Sequence, residues 1–575
     1  MIKLFRFLKP YRVTVVVIVL LTFLRAFSDV YLPALMANIV DVGIVKGDIP
    51  YILRVGGFMS LVAIGGTICA VIASLLSARV AVGFGRIIRA KLFTHVQEFS
   101  LHEFDKLGAS SLITRTTNDT NQVQLVLVMM LRMMLGAPLM FVGSIIMAVI
   151  TDAKLSLVLV ASIPILAVSI WLITSKSIPL FTIIQTKLDK LNLVLDENLT
   201  GIRVIRSLNR MDHERRRFTR ANQDLTDTSI KANQIVAALF PVMMLVMNFS
   251  IIAIFWFGSI RIASGDLQVG SLIAFIQYAT QILFSLLMVS FLFIMIPRAS
   301  ASAVRINEIL DITPGIHDAA QTKQADEKRG YVEFRDVTFS YSGAEQPALC
   351  NISFSANPGE VTAIIGGTGS GKSTLVSLIP RFYDVDSGSI LIDGVDVREM
   401  SQESLRAKIG FVPQKAVLFS GTIAENIRYG KQDASDEEVE QAADIAQATE
   451  FISDMADGFD SVIAQGGTNV SGGQKQRLSI ARALVRKPEI YVFDDSFSAL
   501  DFKTDARLRS ALKREISDST VFIVAQRVST VMDADRIIVL DDGQIVGIGT
   551  HRELMQTSEV YREIVSSQLS MEEIA

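Results

Sequence analysis

Six long apolar runs crowd the first half of this chain and leave it few ways to fold. They cover roughly residues 13–40, 56–78, 123–150, 155–174, 235–262 and 269–297. Each is near or above the ~20 residues that an α-helix needs to cross a bilayer. The cleanest, "LSLVLVASIPILAVSIWLIT" (155–174), carries no charge. A helix buried in a water-soluble core imitates one such run, not six. The basic start, "MIKLFRFLKPYR", has the form of a secretory signal, but its apolar run is too long and further runs follow. A mean hydropathy of +0.41 over 575 residues fits a membrane protein with at least one further domain. The net charge of −3 gives no reason to expect a nucleic-acid partner. Two cysteines, Cys69 and Cys350, make no disulfide framework and suit a reducing compartment for the second half.

Lysines and arginines set the expected orientation. Lys3, Arg6, Lys9 and Arg12 precede the first run. Arg86, Arg89, Lys91, Lys106 and Arg115 lie between the second and third. Lys187, Lys190, Arg203, Arg206, Arg210 and the Arg215–Arg217 triplet lie between the fourth and fifth. The positive-inside bias then places both termini and these two long connections in the cytoplasm of a plasma or inner membrane. "LDKLNLVLDENLTGIRVIRSLN" spaces its apolar residues by three and four, so the helices are expected to continue past the membrane.

Near residue 315 the composition changes. The expected division is a membrane domain over 1–312, a polar linker over 313–330 and a cytoplasmic α/β domain over 331–575. "VEFRDVTFSY" reads as a strand, "IYVFDD" and "TVFIVAQ" as buried strands, and the Asp-Gly pair in "RIIVLDDGQIVGIG" as a hairpin turn.

Within this second half, "IIGGTGSGKST" matches the phosphate-binding pattern G-x-x-x-x-G-K-[ST]. It follows a predicted strand and opens a predicted helix, as the pattern requires. The loop Gly366, Gly367, Thr368, Gly369, Ser370, Gly371, Lys372, Ser373 and Thr374 is expected to wrap the phosphates of ATP with backbone N–H groups. Lys372 is expected to reach the β- and γ-phosphates, and Ser373 to bind Mg²⁺. Asp494 ends the strand "IYVF", where a carboxylate holds the Mg²⁺ shell. Upstream, Ser471, Gly472, Gly473 and Gln474 in "VSGGQKQR" form a second phosphate-binding surface, which suggests pairing between two such domains.

These motifs, in this order, resemble the cassette of an ATP-binding cassette (ABC) transporter. The whole chain resembles an exporter half-transporter: a polytopic α-helical membrane domain of six helices fused to an α/β P-loop ATP-binding cassette. The resemblance implies that Tyr341 stacks on adenine, that Gln414 in "FVPQ" senses Mg²⁺ or nucleotide, that 470–474 is the signature motif, and that Asp501 of "SALD" contacts a partner cassette. It also implies that "LITRTTNDT" (112–120) and "ENLTGIRVIRS" (197–207) are coupling segments, with Arg115 and Arg203 supporting docking onto a cassette.

Three positions depart from the family pattern. The catalytic glutamate position holds Asp495, the switch histidine position in "VAQRVST" holds Gln526, and the segment before the signature reads "VIAQGG", with Ala464 and Gln465 where a Gly-Glu pair is usual. Aspartate is one methylene shorter than glutamate, and a glutamine cannot pass a proton as an imidazole does. The binding residues and the signature are kept, so the damage is one-sided. The expectation is a heterodimer in which this chain supplies a slow Walker site and an intact signature for a second half-transporter, as in bacterial multidrug exporters.

For the cargo, Arg25, Asp29 and Arg132 are charges inside apolar runs, and Gln277 and Gln281 lie one turn apart in another. Methionines cluster at 129, 130, 133 and 134 and again at 243, 244 and 247, which suits hydrophobic or amphipathic compounds. A lipid flippase and a nucleotide-gated channel or regulatory subunit are the alternatives. No peptidase domain precedes the first run, which weakens processed-peptide export.

Overall fold

The computed structural model describes residues 1–319, 321–323 and 329–568. Positions 320 and 324–328 of the expected linker therefore lie outside the described residues. The chain divides into two compact units, one of residues 1–97 and 109–312, the other of residues 98–108 and 313–575.

Among the described residues, the first unit contains six helical segments long and apolar enough to cross a membrane: Ile2–Ile44, Ile49–Gln97, Ala109–Thr151, Leu157–Thr200, Met211–Ala263 and Val269–Val289. The sixth continues in one helix to Leu310. At 1.5 Å per residue the 44-residue fourth segment is about 66 Å long, roughly twice the apolar thickness of a bilayer. The helices thus run well past the membrane, as their amphipathic continuations predict.

Small residues let these helices approach one another, since lipid offers no hydrophobic drive between them. A Cβ on Gly66 would lie 2.5 Å from Ser28 Oγ, and that hydroxyl donates to Val62 O at 2.8 Å. Ser250 donates to Ser162 at 2.7 Å between the fifth and fourth segments. Phe23, Leu61, Val160 and Trp256 point outward, as lipid-facing positions should. Asp41 closes the start of the sixth helix by accepting from the backbone N–H of Gly270 (2.5 Å) and Ser271 (3.0 Å). Nearer the other end, buried Asp119 takes Arg305 and the Ser302 hydroxyl.

The second unit is built on a six-stranded sheet. Its order is Gln544–Gly549, Arg536–Asp541, Val361–Gly366, Thr520–Val524, Ile490–Asp494 and Ile409–Val412. All neighbours are parallel except the edge hairpin, which turns at Asp542-Gly543. The strands Ile490–Asp494 and Thr520–Val524 are buried at every position, as apolar strands covered on both faces must be. A separate antiparallel sheet holds Val332–Phe339 between Leu349–Ala356 and Ser387–Ile392. This topology brings Gly366, Asp494 and the residues after Val524 to the carboxyl ends of adjacent parallel strands, where open α/β sheets bind ligands.

Candidate nucleotide-binding site

The glycine loop is shaped by close approach. A Cβ on Gly366 would stand 2.1 Å from Leu540 O, so a side chain does not fit there. Gly371, at φ 94°, turns the loop into the helix Lys372–Leu378. Lys372 Nζ donates to Gly366 O (2.9 Å) and Gly367 O (2.6 Å). Burial pulls the Lys372 pKa below the usual lysine range, against the opposing pull of Asp495 and Asp494. The Ser370 hydroxyl is buried with no partner among the described residues. A buried lysine resting on loop carbonyls, an orphaned hydroxyl and a glycine-lined cradle fit a polyphosphate. Gly367, Thr368 and Gly369 form the exposed rim. Tyr341 Oη lies 3.0 Å from Thr374 Oγ1, and its ring packs edge-on against Phe339 and Tyr383. At 42% exposure, it keeps surface free for a stacked base.

Asp494 is buried at the end of its strand and accepts from Ser373 Oγ at 2.8 Å. Burial raises its pKa and the neighbouring Asp495 adds to that, while the Ser373 bond and Lys372 oppose it. The hydroxyl–carboxylate pair fits a magnesium shell, and a bound cation would offset the charge that burial penalises in Asp494.

Asp495 follows in a left-handed turn at φ 46°, a conformation that aspartate tolerates better than most residues. Its backbone N–H donates to Val524 O at 3.0 Å. One carboxylate oxygen, Oδ2, accepts from Gln414 Nε2 (3.0 Å) and from Gln526 Nε2 (2.9 Å). Three segments far apart in the chain thus converge on one oxygen, including the altered positions Asp495 and Gln526.

Ser471 caps the 13-residue helix Gly472–Leu484 in a capping box: Gln474 N–H donates to Ser471 Oγ (3.3 Å), and Ser471 N–H to Gln474 Oε1 (2.8 Å). A Cβ on Gly472 would meet nothing within 4 Å, so the helix start is open there, whereas one on Gly473 would crowd Ala499 O at 3.1 Å. Ala464 N–H donates to Asn469 Oδ1 at 3.0 Å, and Gln465 is exposed. Asp501 caps the helix Phe502–Glu515, accepting from Thr504 N (3.0 Å) and Thr504 Oγ1 (2.7 Å), and these bonds lower its pKa.

Of the membrane candidates, Arg25 and Asp29 form an ion pair at 3.5 Å. Gln281 donates to Asp29 O (3.0 Å) and accepts from Ser144 (2.8 Å), so its amide staples the first, third and sixth helices together at both ends. Gln277 is exposed, and Arg132 donates to Ser74 O at 3.0 Å.

Around the first long connection, Arg115 donates within its own unit, to Arg305 O (3.1 Å) and Glu308 (3.0 Å). Residues 98–108 belong to the second unit. There the helix Leu101–Leu107 starts with a Ser100/Glu103 capping box, Asp105 accepts from Tyr383 Oη (3.4 Å), and Glu103 accepts from Gly315 N–H (3.2 Å). The Ser-x-x-Glu spacing of "SLHE" was the signal for this short helix. Arg203 lies exposed on the helix Ile202–Ser207.

Comparison with known proteins gives the same outline. The chain matches the ABC transporter transmembrane region over residues 15–286 and the ABC transporter model over 349–498. It is 44% identical, over 98% of its length and 97% of the relative's, to an uncharacterized ABC transporter ATP-binding protein of Mycobacterium tuberculosis. It is 33% identical, over 98% of both chains, to a Bacillus subtilis protein provisionally named a multidrug export ATP-binding/permease protein. It is 31% identical, over 98% and 96%, to an ATP-dependent lipid A-core flippase of Vibrio vulnificus. The solved structure of a bacterial Atm1-family ABC exporter with ATP bound superposes with a TM-score of 0.81 at 27% identity, covering 97% of this chain and 98% of that one. With six membrane-crossing helices and an ATPase domain on one polypeptide, matched nearly end to end, the chain belongs to the ABC transporter family as an exporter with fused transmembrane and ATP-binding domains.

Proposed function

We propose that this chain is one half of a heterodimeric exporter, that its own Walker site binds Mg²⁺-ATP but hydrolyses it slowly, and that its signature helix serves the partner's faster site. The observation that carries this reading is the grip on Asp495. The carboxylate is already one methylene short of a glutamate, and its Oδ2 takes two amide donors, from Gln414 and Gln526. Two amide donors fix the carboxylate and occupy Oδ2, which leaves only Oδ1 to take a proton from water. Gln526 supplies a hydrogen bond but no proton relay.

The binding groups remain sound. Lys372, the loop glycines and Ser370 hold the phosphates, Ser373 and Asp494 hold the cation with Gln414 beside them, and Tyr341 receives the base. Bound magnesium shields phosphate charge. Ser471, Gly472, Gly473 and Gln474 present an open helix start to the nucleotide of the facing cassette, and Asp501 lies beside that surface as a cap. The two long connections and both termini face the cytoplasm.

Hydrophobic or amphipathic compounds are the cargo class, moved from the cytoplasm or inner leaflet. The multidrug-export name of the Bacillus relative supports this, and the flippase name of the Vibrio relative favours a lipid as the second reading. The test is to purify the full chain alone and with the half-transporter encoded nearest to it, then measure oligomeric state and ATPase activity. Brisk hydrolysis by a stable homodimer refutes the proposal; a low rate that rises on pairing supports it.

A further inference from the structure

The last described helix, Glu559–Gln568, is anchored at its base and ends on the switch segment. Tyr561 and Val565 are fully buried in the same apolar cluster as Val528 and Val531, and Tyr561 Oη lies 2.8 Å from His551 Nδ1. From this fixed base, the Gln568 amide brackets the backbone around Gln526. Its Nε2 donates to Gln526 O at 2.8 Å, and its Oε1 accepts from Val528 N–H at 2.8 Å. Both halves of one side-chain amide are thus used on a two-peptide stretch, and the side chain of the first residue in that stretch donates to Asp495.

We infer that Gln568 is a positioning residue for ATP hydrolysis: it holds the switch backbone where Gln526 can grip Asp495. The relay runs from the C-terminal helix through Gln568 to the 526–528 backbone, then through the Gln526 amide to the carboxylate. A side-chain amide making two directed bonds fixes both the position and the tilt of that backbone, which a single bond would not. Loosening the bracket lets Gln526 leave Asp495, so that Oδ2 keeps only the Gln414 donor and the carboxylate can turn toward water. Loss of Gln568 should therefore raise the rate, whereas damage to a merely structural contact should lower it.

The inference rests on the reading of Gln526 as the switch residue, and the experiment separates the two. Phosphate release is measured with the purified full chain in lipid nanodiscs, for the parent, Gln568→Ala, Gln568→Glu, Gln526→Ala and the double variant Gln526→Ala/Gln568→Ala. Gln568→Ala is expected to raise kcat about three- to tenfold, with KM for ATP unchanged within about twofold and the melting temperature unchanged. Gln568→Glu keeps the acceptor for Val528 but loses the donor to Gln526 O, and should show a smaller rise. In the Gln526→Ala background, Gln568→Ala should have no effect. An unchanged or lower kcat for Gln568→Ala, or an equal rise in that background, overturns the inference. If Gln526→Ala leaves the parent rate unaltered, the switch assignment falls and this inference with it. If Gln526→Ala alters the rate and Gln568→Ala does not, only this inference falls.

Discussion

Restoring the glutamate tests how much of the slow chemistry lies in reach and how much in the glutamine grip. Aspartate withdraws the carboxylate by about 1–1.5 Å, and misplacement on that scale costs on the order of 10²-fold, or about 2.7 kcal/mol. Asp495→Glu recovers that reach. The Gln414 and Gln526 amides, at 3.0 and 2.9 Å from Oδ2, still compete for the carboxylate, and each such bond to a charged group is worth about 1.5–3 kcal/mol. Extending the carboxylate to the water breaks one of these bonds, which costs about 1.5–3 kcal/mol against the ~2.7 kcal/mol gained, so Asp495→Glu alone should raise kcat by no more than about tenfold. Asp495→Glu/Gln526→His removes one competing donor and adds an imidazole, and should reach about 10²–10³-fold. The assay is steady-state phosphate release by the full chain in nanodiscs with Mg²⁺-ATP, with nucleotide affinity measured in parallel and expected to hold. Full recovery from Asp495→Glu alone, or no gain from the double variant, refutes the reasoning.

Three further outcomes follow from the same geometry. Lys372→Ala should weaken ATP binding by about 10²-fold, read by equilibrium titration, because a buried charge-assisted contact to phosphate is worth about 1.5–3 kcal/mol. Burial raises the Asp494 pKa in the nucleotide-free fold, so Mg²⁺-nucleotide affinity should fall as pH drops toward that raised value, and Asp494→Asn should flatten the profile. Gln281→Leu should lower thermal stability by about 0.6–2 kcal/mol, since the Ser144 hydroxyl loses its acceptor; if the residue only staples helices, transport per folded molecule stays intact.

The six spans and the glycine loop were legible because their signals are local: about twenty apolar residues in a row, and an eight-residue pattern running from a strand end into a helix start. The hairpin at Asp542-Gly543 was legible for the same reason. What stayed hidden depends on partners distant in sequence. The bonds of Arg115 to Arg305 and Glu308, some 190 positions later, leave no trace in the sequence around it. Gln281 reads as a cavity donor until Ser144 and Asp29 take both ends of its amide. Asp495 and Gln526 are visible as departures, but their sharing of one bond, with Gln414 on the same oxygen, is a property of three adjacent strand ends. The assignment of residues 98–108 to the second unit has a local trace, the Ser100/Glu103 box, yet that box specifies a helix start and says nothing of what the helix packs on.

The most direct test of the slow-site account is the chemical state of the nucleotide that the chain holds. The purified full chain is loaded with radiolabelled ATP, freed of excess, mixed with Mg²⁺ and quenched over the first few seconds for bound ATP and ADP. The account predicts that bound nucleotide stays mostly ATP, with turnover about 10²-fold below the roughly 10 s⁻¹ typical of enzymes. Rapid conversion of the bound pool to ADP and phosphate by the chain alone would contradict it.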